Sequence, residues 1–172
     1  STHPYAAEVT KNIRKACEET KTEYVRLLRA GSTEDTKNDS SVYVDSVDEA
    51  VEYLSTTTGN VLVTTGSKEI HKYTKIENYK ERIFARVLSL SNVAEHCKSL
   101  GFEGRNLICM QGPFSMELNE AMLRQFDCRY LVTKMSGVTG GYEEKLEAAK
   151  RAGCICVIVG RPLKEEGLGL IE

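Results

Sequence analysis

The chain has 172 residues, a length that fits one domain, or one domain and part of another. Hydrophobic residues make up 41% and charged residues 28%, and the formal net charge of -2 argues against a nucleic-acid-binding protein or one that binds an anionic membrane surface. No apolar run approaches the roughly 20 residues of a membrane span, so we expect no membrane segment.

Apolar runs that predict strands alternate with amphipathic stretches that predict helices. Helices are predicted over about 6–20, after Ser46, after Lys68, over about 91–100, after Ser115 and up to Ala152. Strands are predicted over 24–28, 42–44, 60–64, 82–87, 106–110, 129–132 and 154–159. This alternation is typical of an α/β fold, a parallel sheet with helices on both faces.

The polar segment 31–41 lacks any periodicity and divides the predicted elements. We therefore predict three segments: 1–30 as the end of an N-terminal α/β half, 31–41 as a linker loop, and 42–172 as a C-terminal α/β domain. Because a helix and a strand open the chain abruptly, we expect that an N-terminal half-domain is missing. The charged and then Gly-rich tail over 163–172 is predicted to fray.

Two predicted helices carry capping residues at their start. Ser46 and Glu49 form the pattern of a capping box, with serine at the N-cap and glutamate three residues later. Ser115 is suited to cap the helix that follows it. Gly101 and Gly153 are placed to end two other helices.

The six cysteines show neither the paired spacing of a zinc site nor a disulfide framework. They lie mostly within apolar runs, at positions 17, 97, 109, 128, 154 and 156. We interpret them as reduced core residues of a cytoplasmic protein, with no metal ligand among them.

Polar, Gly-bearing segments follow four of the predicted strands: TTGSK (64–68), QGPFS (111–115), TKMSG (133–137) and GRP (160–162). Parallel strands end on one side of their sheet, and ligands bind outside those carboxyl ends. Glycine lets backbone approach a ligand, and a helix start offers N–H groups to an anion. The predicted cofactor- or substrate-binding residues are Thr65, Gly66, Ser67, Lys68, Gln111, Gly112, Pro113, Phe114, Ser115, Thr133, Lys134, Ser136, Gly137, Gly140, Gly141, Lys145 and Arg161.

Simpler interpretations stay open for several of these positions. A Gly-rich segment can be a plain turn, Lys145 can be a solvated helix lysine, and His3 before Pro4 can be a surface turn residue. The GSK sequence lacks the upstream glycine of a P-loop, and no GxGxxG fingerprint occurs in the chain.

The segments THPYA, TTGSK, ARVL, MQGPFS, TKMSG with GGYEEKLEAA, and the closing RP resemble the precorrin-6A reductase family, including its cobalt-precorrin-6A form. The resemblance runs from Ser1 to about Pro162, and the most specific signals are MQGPFS and TKMSG with its following glycines. It implies two Rossmann-like halves with the site in the cleft between them. Family members begin with a Gly-rich strand–turn–helix that this sequence does not show, so it resembles their C-terminal two-thirds.

The resemblance also implies the chemistry. Family members use NADPH to reduce one double bond of a tetrapyrrole, which converts the 6A intermediate to the 6B form in cobalamin biosynthesis. Lys68, Lys134 and Arg161 are then expected to pair with substrate carboxylates or cofactor phosphates. His3, Tyr142 or a water molecule are the candidate proton donors. The alternative is a domain that binds a nucleotide or tetrapyrrole without turnover.

Overall fold

The computed structural model describes residues 7–22, 27–28, 41–135, 141–160 and 168–169. The helices are α1 Ala7–Thr20, α2 Val47–Ser55, α3 Tyr79–Arg82, α4 Ser91–Ser99, α5 Met116–Gln125 and α6 Tyr142–Ala152, with two 3₁₀ helices at Ile70–Lys75 and Gly104–Asn106. The strands are β1 Leu27–Leu28, β2 Ser41–Val44, β3 Asn60–Val63, β4 Ile83–Val87, β5 Leu107–Cys109, β6 Cys128–Lys134, β7 Ile155–Val159 and β8 Leu168–Gly169.

Six of these strands form one sheet in the order β2-β7-β6-β3-β4-β5, and every neighbouring pair is parallel. This confirms the predicted parallel α/β fold. From β3 the chain builds outward through β4 to β5, and then returns to the other side of β3 as β6. The order therefore reverses between β3 and β6, and the crevice at such a switch point is where open α/β sheets bind ligands.

Alternate residues of the central strands enter two separate cores, one on each face of the sheet. In β3, Val61 and Val63 face the layer that includes α2 and α4, whereas Leu62 faces the layer of α5 and α6. All three are fully buried, as expected for strands covered on both faces. The helices on both faces fix the strand ends in place, so the loops that follow them start from rigid supports.

The helix starts agree with the capping patterns. The Ser46 hydroxyl accepts a hydrogen bond from the Glu49 amide at 3.2 Å. The Glu49 carboxylate accepts from the Asp45 amide at 2.9 Å, one residue earlier than a standard capping box requires. The Ser115 hydroxyl likewise accepts from the Leu118 amide at 3.3 Å, which orients α5 directly after the QGPFS segment.

Two expectations need correction. Cys109, predicted to be a core residue, is exposed at the end of β5, and Cys17 is only half-buried, whereas the other four cysteines are buried. The tail was expected to fray, but Leu168–Gly169 pair in parallel with Leu27–Leu28 as a two-stranded sheet. The boundaries of the predicted linker stay predictions, since residues 29–40 lie outside the described ranges.

None of the described helices is both long and apolar enough to cross a membrane.

Candidate functional site

A cavity of about 650 Å³ opens at the carboxyl edge of the sheet, on the β3–β4–β5 side of the switch point. Four elements meet there: the ends of β3, β4 and β5, and the first turn of α6. The lining residues are Thr64, Gly66, Arg86, Val87, Leu88, Met110, Gln111, Gly112, Pro113, Phe114, Gly141, Glu144 and Lys145. Its volume lies within the range of small-molecule sites, roughly 300–1,000 Å³.

Arg86 is the most deeply buried charge in this cavity. Its position in β4 directs the side chain toward the α5 and α6 layer, and only 5% of the residue is exposed. Nη1 donates to the Asn119 side-chain oxygen at 2.7 Å, and the guanidinium lies 3.9 Å from the centre of the Phe114 ring. Burial alone lowers the pKa of Arg86 to about 10, so the guanidinium remains charged at neutral pH.

Lys145 contributes a second buried cation from the first turn of α6. It is 9% exposed, although α6 carries exposed charged residues on its outer face. Burial, together with the positive charge of Arg86, lowers the pKa of Lys145 to about 8, and Glu144 and Cys156 oppose this shift. The ammonium is thus still the main form at neutral pH, but it deprotonates far more easily than a solvated lysine.

An apolar wall lies beside these cations. Leu88 lines the cavity directly after β4 and is 49% exposed. Phe114 and Met110 extend the wall from the end of β5. Gly112 makes room for the ring, since a methyl group there would lie only 3.2 Å from Phe114 Cε2. The cavity therefore offers a cationic wall and an apolar wall to the same ligand.

Only part of the TTGSK segment lines the cavity. The Thr64 amide and hydroxyl both donate to the Val132 carbonyl, at 2.9 and 2.7 Å, and so extend the β3–β6 seam. Thr65 is buried and lies 3.3 Å from the hydroxyl of Tyr73. Gly66 lines the cavity with φ +86°, a conformation that favours glycine, and a Cβ there would meet no atom within 4 Å. Ser67 and Lys68 are not among the lining residues.

The TKMSG segment begins outside the cavity. Lys134 Nζ lies 3.0 Å from Glu69 Oε2, and Lys72 Nζ lies 2.9 Å from Glu69 Oε1. Lys72 also pairs with Asp48 at 2.7 Å, so these groups link α2, the 3₁₀ helix and the end of β6. Thr133 is buried within β6.

The structure thus brings together Gly66, Gln111–Phe114, Gly141 and Lys145 of the predicted set. Ser115 serves as the α5 cap, and Tyr142, one of the candidate proton donors, is 7% exposed within the second core. The remaining predicted residues lie outside the described part of the chain: His3, Ser136, Gly137, Gly140 and Arg161.

Sequence reasoning missed Arg86 as a site residue. It stands inside the apolar run IFARV, where a charged side chain is costly unless it has polar partners. A charged residue within an apolar strand was the signal that could have identified Arg86 as a site residue. Glu144 and Leu88 were missed as well, and nothing in their local sequence marks them. Within the described ranges, no group of three or more His, Cys, Asp or Glu residues could hold a metal ion.

The sheet order and the cavity together define a class, a doubly wound parallel α/β domain with a cavity at the carboxyl ends of its strands. Comparison with known proteins then identifies the family. The chain belongs to the precorrin-6x reductase CbiJ/CobK family, whose sequence profile matches residues 1–171. This confirms the resemblance carried by the sequence segments.

Two curated relatives show how much of the family protein is present. The chain is 35% identical to the cobalt-precorrin-6A reductase of Priestia megaterium over 97% of its own length and 66% of the relative's. It is 38% identical to the cobalt-precorrin-6A reductase of Methanothermobacter thermautotrophicus over 94% of its length and 53% of the relative's. The chain therefore spans between about half and two thirds of these relatives.

A solved structure supports the fold. The structure named CobK precorrin-6A reductase matches 98% of this chain and 66% of its own, with a TM-score of 0.74 and 21% sequence identity. At this level of identity the likeness concerns the fold alone.

Proposed function

We propose that this chain forms part of an oxidoreductase of cobalamin biosynthesis that reduces one double bond of precorrin-6A or cobalt-precorrin-6A, giving the 6B form, with NADPH as reductant. Membership of the reductase family supports the reaction class. The observation that carries the proposal is the cavity itself, which combines buried cations with an exposed apolar wall at the carboxyl edge of the sheet.

The cavity residues fit a ligand that is both aromatic and anionic. Arg86 and Lys145 match phosphate or carboxylate groups, and Phe114 and Leu88 match the face of a ring system. Both a nicotinamide dinucleotide and a tetrapyrrole with carboxylate side chains have this character. Because the cavity has the size of a single small-ligand site, we assign it one ligand, or a portion of one.

When bound, the nicotinamide supplies the hydride. In our proposal this chain holds its ligand by charge-assisted hydrogen bonds at Arg86 and Lys145, while the Leu88 and Phe114 wall orients the ring system and excludes water. The substrate also needs a proton beside the hydride. Among the candidate donors, Tyr142 lies in the described part of the chain, where its burial makes direct contact with substrate difficult.

The alternative function is a domain that binds the nucleotide or the tetrapyrrole without turnover. The same cations and apolar wall would serve such a domain.

One experiment separates the two. NADPH oxidation is followed with this chain and each 6A substrate, and the binding of NADPH and of each substrate is measured in parallel. Turnover establishes the reductase, and binding without turnover establishes the alternative. A chain that binds neither ligand at millimolar concentration would contradict both functions.

A further inference from the structure

Asn119 is a polar residue on the buried face of α5. It is 0% exposed and lies about one helical turn before Met122 and Leu123, which are also buried. The start of α5 does not need its side chain. The Ser115 hydroxyl already accepts from the Leu118 amide, and the Asn119 backbone amide donates to the Ser115 carbonyl at 3.1 Å. Because a buried side-chain amide is costly unless it is hydrogen-bonded, its partners indicate what it does.

Both ends of the Asn119 side-chain amide are hydrogen-bonded. Oδ1 accepts from Arg86 Nη1 at 2.7 Å, and Nδ2 donates to the Ser115 carbonyl at 2.7 Å. A guanidinium can only donate and a carbonyl can only accept, so these two partners determine which way round the amide lies. Asn119 therefore connects a cavity cation on β4 to the end of the QGPFS segment.

These contacts form a closed circuit. Phe114 precedes Ser115 in the chain, and the centre of its ring lies 3.9 Å from the Arg86 guanidinium. The Met122 sulfur lies 3.6 Å from the same Nη1 atom that contacts Asn119. One end of the guanidinium is thus held by α5 and its face is held by the aromatic ring. The cationic wall and the apolar wall of the cavity are joined in this way.

We propose that Asn119 is a positioning residue that orients the Arg86 guanidinium against Phe114, so that the two walls meet a ligand in one fixed arrangement. This role rests on the proposed function in one respect, that Arg86 binds the anionic part of the ligand. Preorganisation strengthens binding, because a long side chain that is already ordered loses less conformational freedom when the ligand arrives. Asn119 is not among the described residues that line the cavity, so it acts through Arg86.

The first test needs no ligand. NMR of the arginine side chains reports whether the guanidinium is held, because hindered rotation about the Cζ–Nη1 bond keeps the hydrogens on Nη1 as separate signals. The Arg86 signals are those that disappear in Arg86→Met. We expect separate signals in the wild type and averaged signals in Asn119→Ala. The signals should stay separate in Asn119→Asp, because its carboxylate still accepts the hydrogen bond.

The second test is a double-mutant cycle, with inorganic phosphate as the probe and calorimetry as the measurement. Arg86→Met should weaken phosphate binding at least tenfold, and Asn119→Ala should weaken it at least fivefold. In the Arg86→Met background, Asn119→Ala should change phosphate affinity less than twofold, since no guanidinium is left to orient. An asparagine with a merely structural role would give the same loss in both backgrounds.

Asn106 provides the matched control. It is also a buried asparagine, 8% exposed, and its Nδ2 donates to the carbonyl of Ile83 at 3.0 Å, at the start of β4. Asn106→Ala removes a buried amide that contacts the same strand, so stability should fall in both alanine variants. Phosphate affinity in Asn106→Ala should stay within twofold of the wild type, and the Arg86 signals should remain separate.

The outcomes distinguish the positioning role from the proposed function. If Arg86→Met weakens phosphate binding but Asn119→Ala leaves it unchanged, or weakens it equally in both backgrounds, the positioning role is overturned and the ligand role of Arg86 stands. If Arg86→Met leaves phosphate affinity unchanged, the ligand role of Arg86 fails, and the positioning role fails with it. Averaged Arg86 signals in the wild type would overturn the positioning role even if Asn119→Ala failed to fold.

Discussion

Two groups of cations lie at the carboxyl edge of the same sheet, and they differ in how their charge is balanced. On the α2 side, Lys72 and Lys134 share the Glu69 carboxylate, and Lys72 also pairs with Asp48. On the α5 and α6 side, Arg86 and Lys145 line a cavity, and within the described residues Arg86 has no carboxylate partner.

The difference shows why a cation at a strand end does not by itself indicate a ligand site. Lys134 is the charged residue between a strand end and a glycine turn, and the sequence alone makes it the sharper candidate. Its contact with Glu69 gives it a structural role, because it links β6 to the start of the 3₁₀ helix Ile70–Lys75. Arg86 lies inside a strand, and among the described residues its side chain has the neutral Asn119 as a partner and no carboxylate. What separates Lys134 from Arg86 is the presence of a carboxylate partner among the described residues, which only the folded chain displays.

The largest effect is expected for Lys145→Met. The folded-state pKa of Lys145 is lowered to about 8 from an ordinary 10.5, so the unfolded chain binds more protons between these values. The charged lysine therefore costs stability below pH 8, and the cost disappears as pH rises toward 10.5. We expect Lys145→Met to raise the free energy of unfolding by roughly 3 kcal/mol at pH 7, because each pKa unit is worth about 1.4 kcal/mol.

Chemical denaturation across pH 7–10.5, in buffers without phosphate, measures this difference between variant and wild type. Lys150→Met is the matched control, and as an exposed substitution it should stay within about 0.5 kcal/mol at every pH. Added phosphate should reduce the gain at pH 7 by stabilising the wild type. A gain that does not shrink as pH rises would show that the buried charge is not its cause.

Glu69→Gln tests the compensated group, which consists of Lys72, Lys134, Glu69 and Asp48. It should change stability less than Lys145→Met does. Burial by itself would raise the pKa of Glu69, but hydrogen bonds from Lys72 and Lys134 outweigh it and lower the pKa below the ordinary 4.5. The contribution of Glu69 is therefore fully present above pH 4.5 and is lost as pH falls through the lowered value. We expect a loss of about 0.5–1 kcal/mol at neutral pH, the range of partly exposed ion pairs.

Thermal unfolding of wild type and Glu69→Gln at neutral pH and at pH 3 provides the measurement, and the gap between them should close in acid. Phosphate binding should be the same for both, since Glu69 does not line the cavity. An equal stability gap at both pH values would show that the carboxylate charge is not what stabilises this group.

The architecture could be predicted because it rests on local patterns. Apolar runs, helix stripes and the caps at Ser46 and Ser115 are short-range signals, and sheet geometry then places the strand ends on one side. Gln111–Phe114 and Lys145 were predicted as binding residues by this reasoning, and they line the cavity. The sequence does not reveal the partner of each charge, because Arg86 meets Asn119 across 33 positions and Lys134 meets Glu69 across 65. Such long-range pairings depend on strand order.

Lys134→Ala is expected to have the smallest effect. It decides whether Lys134 binds the ligand directly or only pairs with Glu69. If Lys134 served the ligand directly, its loss would cost about 1.5–3 kcal/mol of binding, the value of a charge-assisted hydrogen bond. The structure places it instead on Glu69, with 23% of its side chain exposed. We therefore expect phosphate binding to change by less than about 0.5 kcal/mol and stability to fall by about 0.5 kcal/mol or less, as for other partly exposed pairs. Calorimetric titration of phosphate into Lys134→Ala and into Arg86→Met, under the same conditions, measures the loss of binding in each variant. A loss of binding as large as that of Arg86→Met would mean that a ligand anion competes with Glu69 for Lys134, and that the compensated group also belongs to the site.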